Sequence, residues 1–159
     1  MMADDNLVKI LFRFYSDILE EHTVETMWAE VVNADKGYYR IDNIPFYVPI
    51  LASGDIVLAR FDEQEEMLTY KETIEHSGNS TIHVIIIDEE LDLQTVFDLF
   101  TSLGCPCEGK DDNYLAIEIP ADMDYLPIKE RLELMEQDEV IGYAETCLSS
   151  NHSYRDFSL

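Results

Sequence analysis

Basic residues are scarce in this sequence. Ten Lys and Arg stand against 34 Asp and Glu, leaving a net charge of −24. Such a field repels nucleic acid and anionic membrane, so direct binding to either is not expected. Glycine and proline are scarce too, at six and five. That excludes low-complexity sequence, and with apolar residues at 47 % a folded core is expected. Gly54, Gly78 and Gly109 stand isolated, so no phosphate-cradling loop or dinucleotide fingerprint can be built. No stretch approaches the roughly 20 apolar residues of a membrane helix. The opening MMADDNLVKI is acidic, unlike the basic start of a secretory leader, and a cytoplasmic protein is expected.

Cysteine is sparse and odd in number, at 105, 107 and 147. Cys105-Pro106-Cys107 is neither the C-x-x-C of a redox motif nor half of a zinc site. Cys147 reads as a small apolar strand residue. The four histidines, at 22, 76, 83 and 152, form no metal-binding pair. His76 and Ser77 are neighbours, but adjacent side chains on extended backbone point apart and cannot work as base and nucleophile. A loop or capping role suits His76 better. Carboxylate pairs are so common here that none marks an active site. Asp88-Glu89-Glu90 with Asp92, and Asp111-Asp112, lack the spacing of a calcium loop and read as solvated turns. No cofactor, no metal and no enzymatic activity are expected.

What is present divides in two. Residues 7–75 read as mostly β. Leu7–Tyr15 alternates Val8, Ile10, Phe12 and Phe14 against Lys9, Leu11 and Arg13, a strand with one buried face. In Thr23–Asn33, Val24, Thr26, Trp28 and Val32 share one parity, and Glu25, Met27 and Val31 the other. Tyr38–Ile41, Ile56–Phe61 and Leu68–Ile74 follow as strands, with Glu63–Glu66 as an acidic hairpin tip. Asp42 and Asn43 are expected to turn the chain by bonding nearby backbone.

Residues 76–148 read as strand–helix–strand–helix–strand. Thr81–Ile87 is a strand. Asp92 caps a helix carrying Val96, Phe97 and Phe100, which Gly104 ends. Tyr114–Ile119 is a strand, Pro127 opens a helix with Ile128, Leu132 and Met135 inward, and Val140–Leu148 is the last strand. The expected fold class is α+β: a small N-terminal β-barrel or bent antiparallel sheet, packed on a C-terminal ferredoxin-like βαβαβ half. A fourth strand for that sheet would come from elsewhere, the first half included. Residues 149–159 read as a poorly specified tail.

Trp28-Ala29-Glu30, Tyr39-Arg40-Ile41-Asp42-Asn43-Ile44-Pro45-Phe46, Gly54-Asp55-Ile56-Val57 and His76-Ser77-Gly78-Asn79-Ser80-Thr81 together resemble a bacterial domain-of-unknown-function family, the one numbered 4265. The resemblance spans roughly residues 7–148. It implies a soluble bacterial protein whose halves form one unit, and it supplies no catalytic residue. In size, charge and lack of catalytic motifs the chain also resembles, by kind, the acidic immunity proteins of bacterial toxin–immunity pairs. That likeness implies a cytoplasmic inhibitor of a cognate toxin domain, a basic one such as a nuclease, met through an acidic surface. The expected contact residues are Asp62, Glu63, Glu65 and Glu66 at the hairpin tip, with Asp88, Glu89, Glu90 and Asp92 at the strand-to-helix turn. The alternatives are a nucleic-acid mimic, or a small-molecule or regulatory domain with Trp28, Tyr39, Asp42, Asn43, Ser77 and Asn79 lining a pocket. The oligomeric state is not legible in the sequence.

Overall fold

The computed structural model describes residues 6–17 and 19–153. Residues 154–159 of the expected tail lie outside them. The chain is α+β and divides into two compact units, Met1–Ser77 and Gly78–Leu159.

The first unit holds β1 (Leu7–Ser16), β2 (Glu21–Asn33), β3 (Tyr38–Ile41), β4 (Ile56–Asp62) and β5 (Met67–Glu75). They run as an antiparallel meander closed into a barrel. The closure is irregular. β1 meets β5 in parallel, through only Ile10↔Leu68 and Leu11↔Thr69. Register shifts between Val31 and Asn33, and at two places in β4, bend the strands enough to curl so small a sheet. Gly37 has φ +77, and a Cβ there would lie 2.9 Å from the Ala59 carbonyl oxygen, so the β3 approach requires glycine.

Ile10, Phe12, Met27, Ala29, Tyr39, Ile41, Val48, Leu51, Val57 and Ala59 fill the barrel. The odd parity of β2 is therefore the inner one, and Val24, Thr26, Trp28, Glu30 and Val32 lie outside. β1 departs from the expected single buried face: Leu11 is buried as well as Ile10 and Phe12.

The second unit holds β6 (Ser80–Ile86), α1 (Leu93–Ser102), β7 (Cys107–Lys110), β8 (Tyr114–Ile119), α2 (Leu126–Gln137) and β9 (Ile141–Cys147). The sheet order is β7-β8-β6-β9, with every neighbour antiparallel. This is the ferredoxin-like arrangement, βαββαβ rather than the expected βαβαβ. The fourth strand is β7, supplied by the same unit and not by the first half.

Asp92 accepts from Gln94 N at the start of α1, and Gly104, at φ +97, follows its C-cap. Pro127 sits in the first turn of α2. Val96 and Phe100 of α1, with Ile128 and Leu132 of α2, pack on Ile82, Val84, Leu115, Ile117 and Ile119 of the sheet.

Candidate functional site

β6 ends in the turn Asp88–Asp92, which leads into α1. The antiparallel pair Ile85↔Tyr114 brings that end of β6 beside the β7–β8 hairpin turn, Asp111–Asn113. Ile86 N donates to Asn113 O at 2.7 Å, and the two turns are thereby fixed side by side. Between them lies an open groove of about 500 Å³, lined by residues 89–94 with Asp111 and Asp112. Asp88 Oδ1 accepts from Glu90 N at 2.9 Å and Asp92 Oδ1 from Gln94 N at 3.3 Å, so two of the acids also hold the turn. Asp111 has φ +57, a left-handed position that Asp tolerates better than most residues. Asp88, Glu89, Glu90, Asp92, Asp111 and Asp112 form no ion pair among the described residues. Their charges add along one rim without converging, and no cluster fit for a metal ion occurs among the described residues.

The other expected contact surface is less free. Asp62 to Glu66 do form a hairpin tip between β4 and β5. Arg13 pairs with Glu65 there, and Asp62 Oδ1 accepts from Gln64 N and Glu65 N. The tip therefore carries a neutralised acid that the strand-to-helix turn does not.

Among the residues expected to line a ligand pocket, Trp28 and Tyr39 lie on opposite faces of the barrel sheet. Tyr39 points into the barrel core, whereas Trp28 is 44 % exposed on its outer face. Asn43 Oδ1 accepts from Trp28 N at 2.6 Å, and Asp42 N donates to Trp28 O at 2.9 Å. These two residues tie a loop to Trp28, fourteen and fifteen positions earlier, instead of making the local turn expected. Ser77 N donates to Asp55 Oδ1 at 2.8 Å, and Ser77 Oγ to Ser53 O at 2.8 Å. Asn79 Oδ1 accepts from Ala121 N within the second unit.

Three polar arrangements escape the sequence. Glu25, half-buried on the inward parity of β2, accepts from the backbone N–H groups of Phe46, Tyr47 and Val48 at 2.8, 3.0 and 3.1 Å. Asp55, fully buried, accepts from Ala52 N at 3.1 Å and lies 3.2 Å from His76 Nδ1. His76 stands in the loop after β5, where a loop or capping role was expected of it, and its ring meets Asp55. His152 is buried, with Nε2 2.9 Å from Pro120 O and Nδ1 2.6 Å from Ser80 Oγ. The carbonyl can only accept, so Nε2 carries the proton and Nδ1 accepts from Ser80. Ser149 N donates to Ser80 Oγ at 2.8 Å, so the expected tail begins inside a fixed network. Apart from Ala52 and Asp55, these partners lie 21 to 72 residues apart in sequence, and only the fold brings them together.

Burial favours the protonated thiol at two of the three cysteines. Burial, then the charges of Cys107 and Glu118, pushes Cys105 up from 9.0 to about 12. Burial pushes Cys107 to about 11, against a lowering hydrogen bond from Thr101. Burial and the Glu145 carboxylate, 2.7 Å from its hydroxyl, also raise Tyr125 well above the usual phenol range. Among the described residues, no helix is long and apolar enough to cross a membrane.

Residues 25–143 match the family described as "Domain of unknown function (DUF4265)". No curated protein matches the chain. The fold is similar to a solved structure described as "Novel crystal structure of a hypothetical protein from Neisseria gonorrhoeae", with a TM-score of 0.75 and 24% sequence identity, covering 89% of this chain and 95% of that one. At that identity the likeness speaks for the fold alone.

Proposed function

The chain belongs to the DUF4265 family, and from that premise we propose that it is an immunity protein, which binds and neutralises a basic bacterial toxin domain in the cytoplasm through an acidic surface. The observation that carries this reading is the groove between the Asp88–Asp92 turn and the Asp111–Asp112 turn. Five carboxylates, Glu89, Glu90, Asp92, Asp111 and Asp112, line it, Asp88 lies in the same turn, and none of the six is paired with a cation among the described residues. A molecule of net charge −24 draws a basic domain in from a distance, and an unpaired rim receives lysine and arginine side chains at contact. Of the two acidic surfaces, this groove is the principal contact, because Arg13 already occupies Glu65 at the hairpin tip.

The test is a charge reversal in the groove: Glu89→Lys, Glu90→Lys, Asp111→Lys and Asp112→Lys together. The probe is the product of the neighbouring gene, with protection scored by co-expression and association by stopped flow, and a neighbour that is not a basic domain counts against the reading. Association should slow by about 10- to 100-fold at low salt, and the difference should shrink as salt screens the charges. Unchanged protection and unchanged association at low salt would sink the reading, as would turnover of a substrate by the isolated protein.

A further inference from the structure

Three sulfurs meet where α1 gives way to β7. Gly104, at φ +97, follows the helix, and Cys105 N donates back to Phe100 O at 3.0 Å. The Cys105 side chain lies in the core, 1 % exposed. Pro106 O accepts from Glu118 N at 2.8 Å and leads the chain into β7, where Cys107 packs against the same core. Cys105 and Cys107 are two positions apart on extended chain, the spacing that puts side chains on one face. Cys107 Sγ lies 3.3 Å from Cys105 O. Met123 arrives on the turn after β8, its N–H donating to Pro120 O at 3.0 Å. A Cβ at Gly104 would lie 2.9 Å from Met123 Cε, and Cys105 Sγ donates to Met123 Sδ at 3.7 Å.

Cys105-Pro106-Cys107 lacks the second pair that a zinc site needs, and the fold supplies a third sulfur of another kind. No cluster of His, Cys, Asp and Glu among the described residues could hold a metal, but a thioether belongs to none of these types. Two thiolates and a thioether are soft ligands, the set that selects monovalent copper over oxygen-seeking cations. Three sulfurs bonded to one ion at about 2.3 Å stand about 4 Å apart. The 3.7 Å between Cys105 and Met123 is already close to that. Cys107 and Met123 are half-buried, so an ion arriving from solvent meets them first. Burial and the Cys107 charge hold the proton on Cys105, and a cation seated between the sulfurs offsets both.

We propose that Cys105, Cys107 and Met123 bind one Cu(I) ion at the C-terminal end of α1. Each thiol gives its proton to water as its sulfur bonds the metal, so two protons leave per ion and copper keeps its oxidation state. Met123 donates a lone pair and releases nothing. Zinc is disfavoured, because its closed sites take four ligands and the sulfurs offer three. With the thiols raised to about 12 and about 11, both protons are in place near neutrality. Apparent affinity should therefore climb about 100-fold per pH unit between about pH 6 and about pH 8. The acidic groove lies at the other end of α1, so this site and toxin binding are tested on different residues.

The experiment is an anaerobic titration of the whole reduced chain with Cu(I), in competition with a colorimetric Cu(I) chelator, across that pH range. One ion per chain should be held, with a sulfur-only shell at about 2.3 Å in copper X-ray absorption. Met123→Leu should weaken binding at least about 10-fold, the least that losing even an outer partner of a metal costs. Cys107→Ser should weaken it further and cut the pH slope to about 10-fold per unit. Both side chains are half-buried, so both variants should keep the native circular dichroism. Cys147→Ala, in β9, should bind like the parent. Failure to hold the ion against the chelator, a parent slope of about 10-fold per unit or less, copper bound through oxygen, or binding untouched by both variants overturns the proposal. So does Zn(II) that displaces Cu(I) from the chain.

Discussion

Replacing Glu25 by alanine removes the acceptor of three backbone N–H groups, those of Phe46, Tyr47 and Val48. These bonds fix the loop that returns Val48 and Leu51 into the barrel core. Hydrogen bonds to a charged group contribute about 1.5–3 kcal/mol each. Glu25 is only half-buried, so water can reach some of the freed donors. We therefore expect a loss of about 3 kcal/mol rather than the full sum of the three bonds. For a unit of 77 residues, at about 4–8 °C per kcal/mol, the melting temperature should fall by about 12–24 °C. Trp28 reports on the barrel alone, because the second unit has no tryptophan. Glu25→Gln keeps one good acceptor oxygen and should fall between the two. Hydrogen exchange at Phe46 to Val48 should accelerate in both variants, most in the alanine. A loss below about 0.5 kcal/mol, with protection at those amides unchanged, would refute the claim that this carboxylate holds the loop.

Ile50 is 68 % exposed with φ +56, an uncomfortable position for a β-branched residue. Ile50→Asn should raise stability by about 0.5–1 kcal/mol in urea unfolding followed by Trp28. His152→Ala strands the Ser80 hydroxyl and the Pro120 carbonyl and should cost about 2–4 kcal/mol. That loss should appear in the far-ultraviolet dichroism of the helices, which belong to the second unit. Cys105 and Cys107 should react slowly with a disulfide reagent at pH 8 until the protein is denatured, their thiols being raised to about 12 and about 11. Both groups hold their protons more tightly when folded. The stability this gives is complete below about 9.0 and is lost as pH climbs through 11 to 12, which an alkaline denaturation series measures.

Elements whose signals are local were legible in the sequence. Asp92 and Gly104 bracket α1 and Pro127 opens α2, because capping and φ preferences act within one turn of helix. The alternation of Tyr114–Ile119 gives β8 to the residue. β7 was not legible. Cys107-Glu108-Gly109-Lys110 lacks alternation and branched residues, and only its pairing with β8 makes it a strand. The orientation of β2 was ambiguous for a different reason: its outer face, with Val24, Trp28 and Val32, is as apolar as its inner one. Of the candidate groove, the Asp88–Asp92 turn could be read directly. Its companion at Asp111–Asp112 is brought alongside by antiparallel pairing, which no composition argument anticipates. Asn43 looked like a turn former and serves as a cross-link to Trp28, since the same amide chemistry suits both tasks.

The barrel's seam has a consequence for how the chain is made. Two residue pairs join its earliest strand to its latest, so Ile10 and Leu11 have no second neighbour until Leu68 and Thr69 have left the ribosome. During that interval the nascent β1–β2 hairpin carries an open flank. Pauses in translation between those points lengthen the exposure, and synonymous codon changes there should alter soluble yield without changing a single residue.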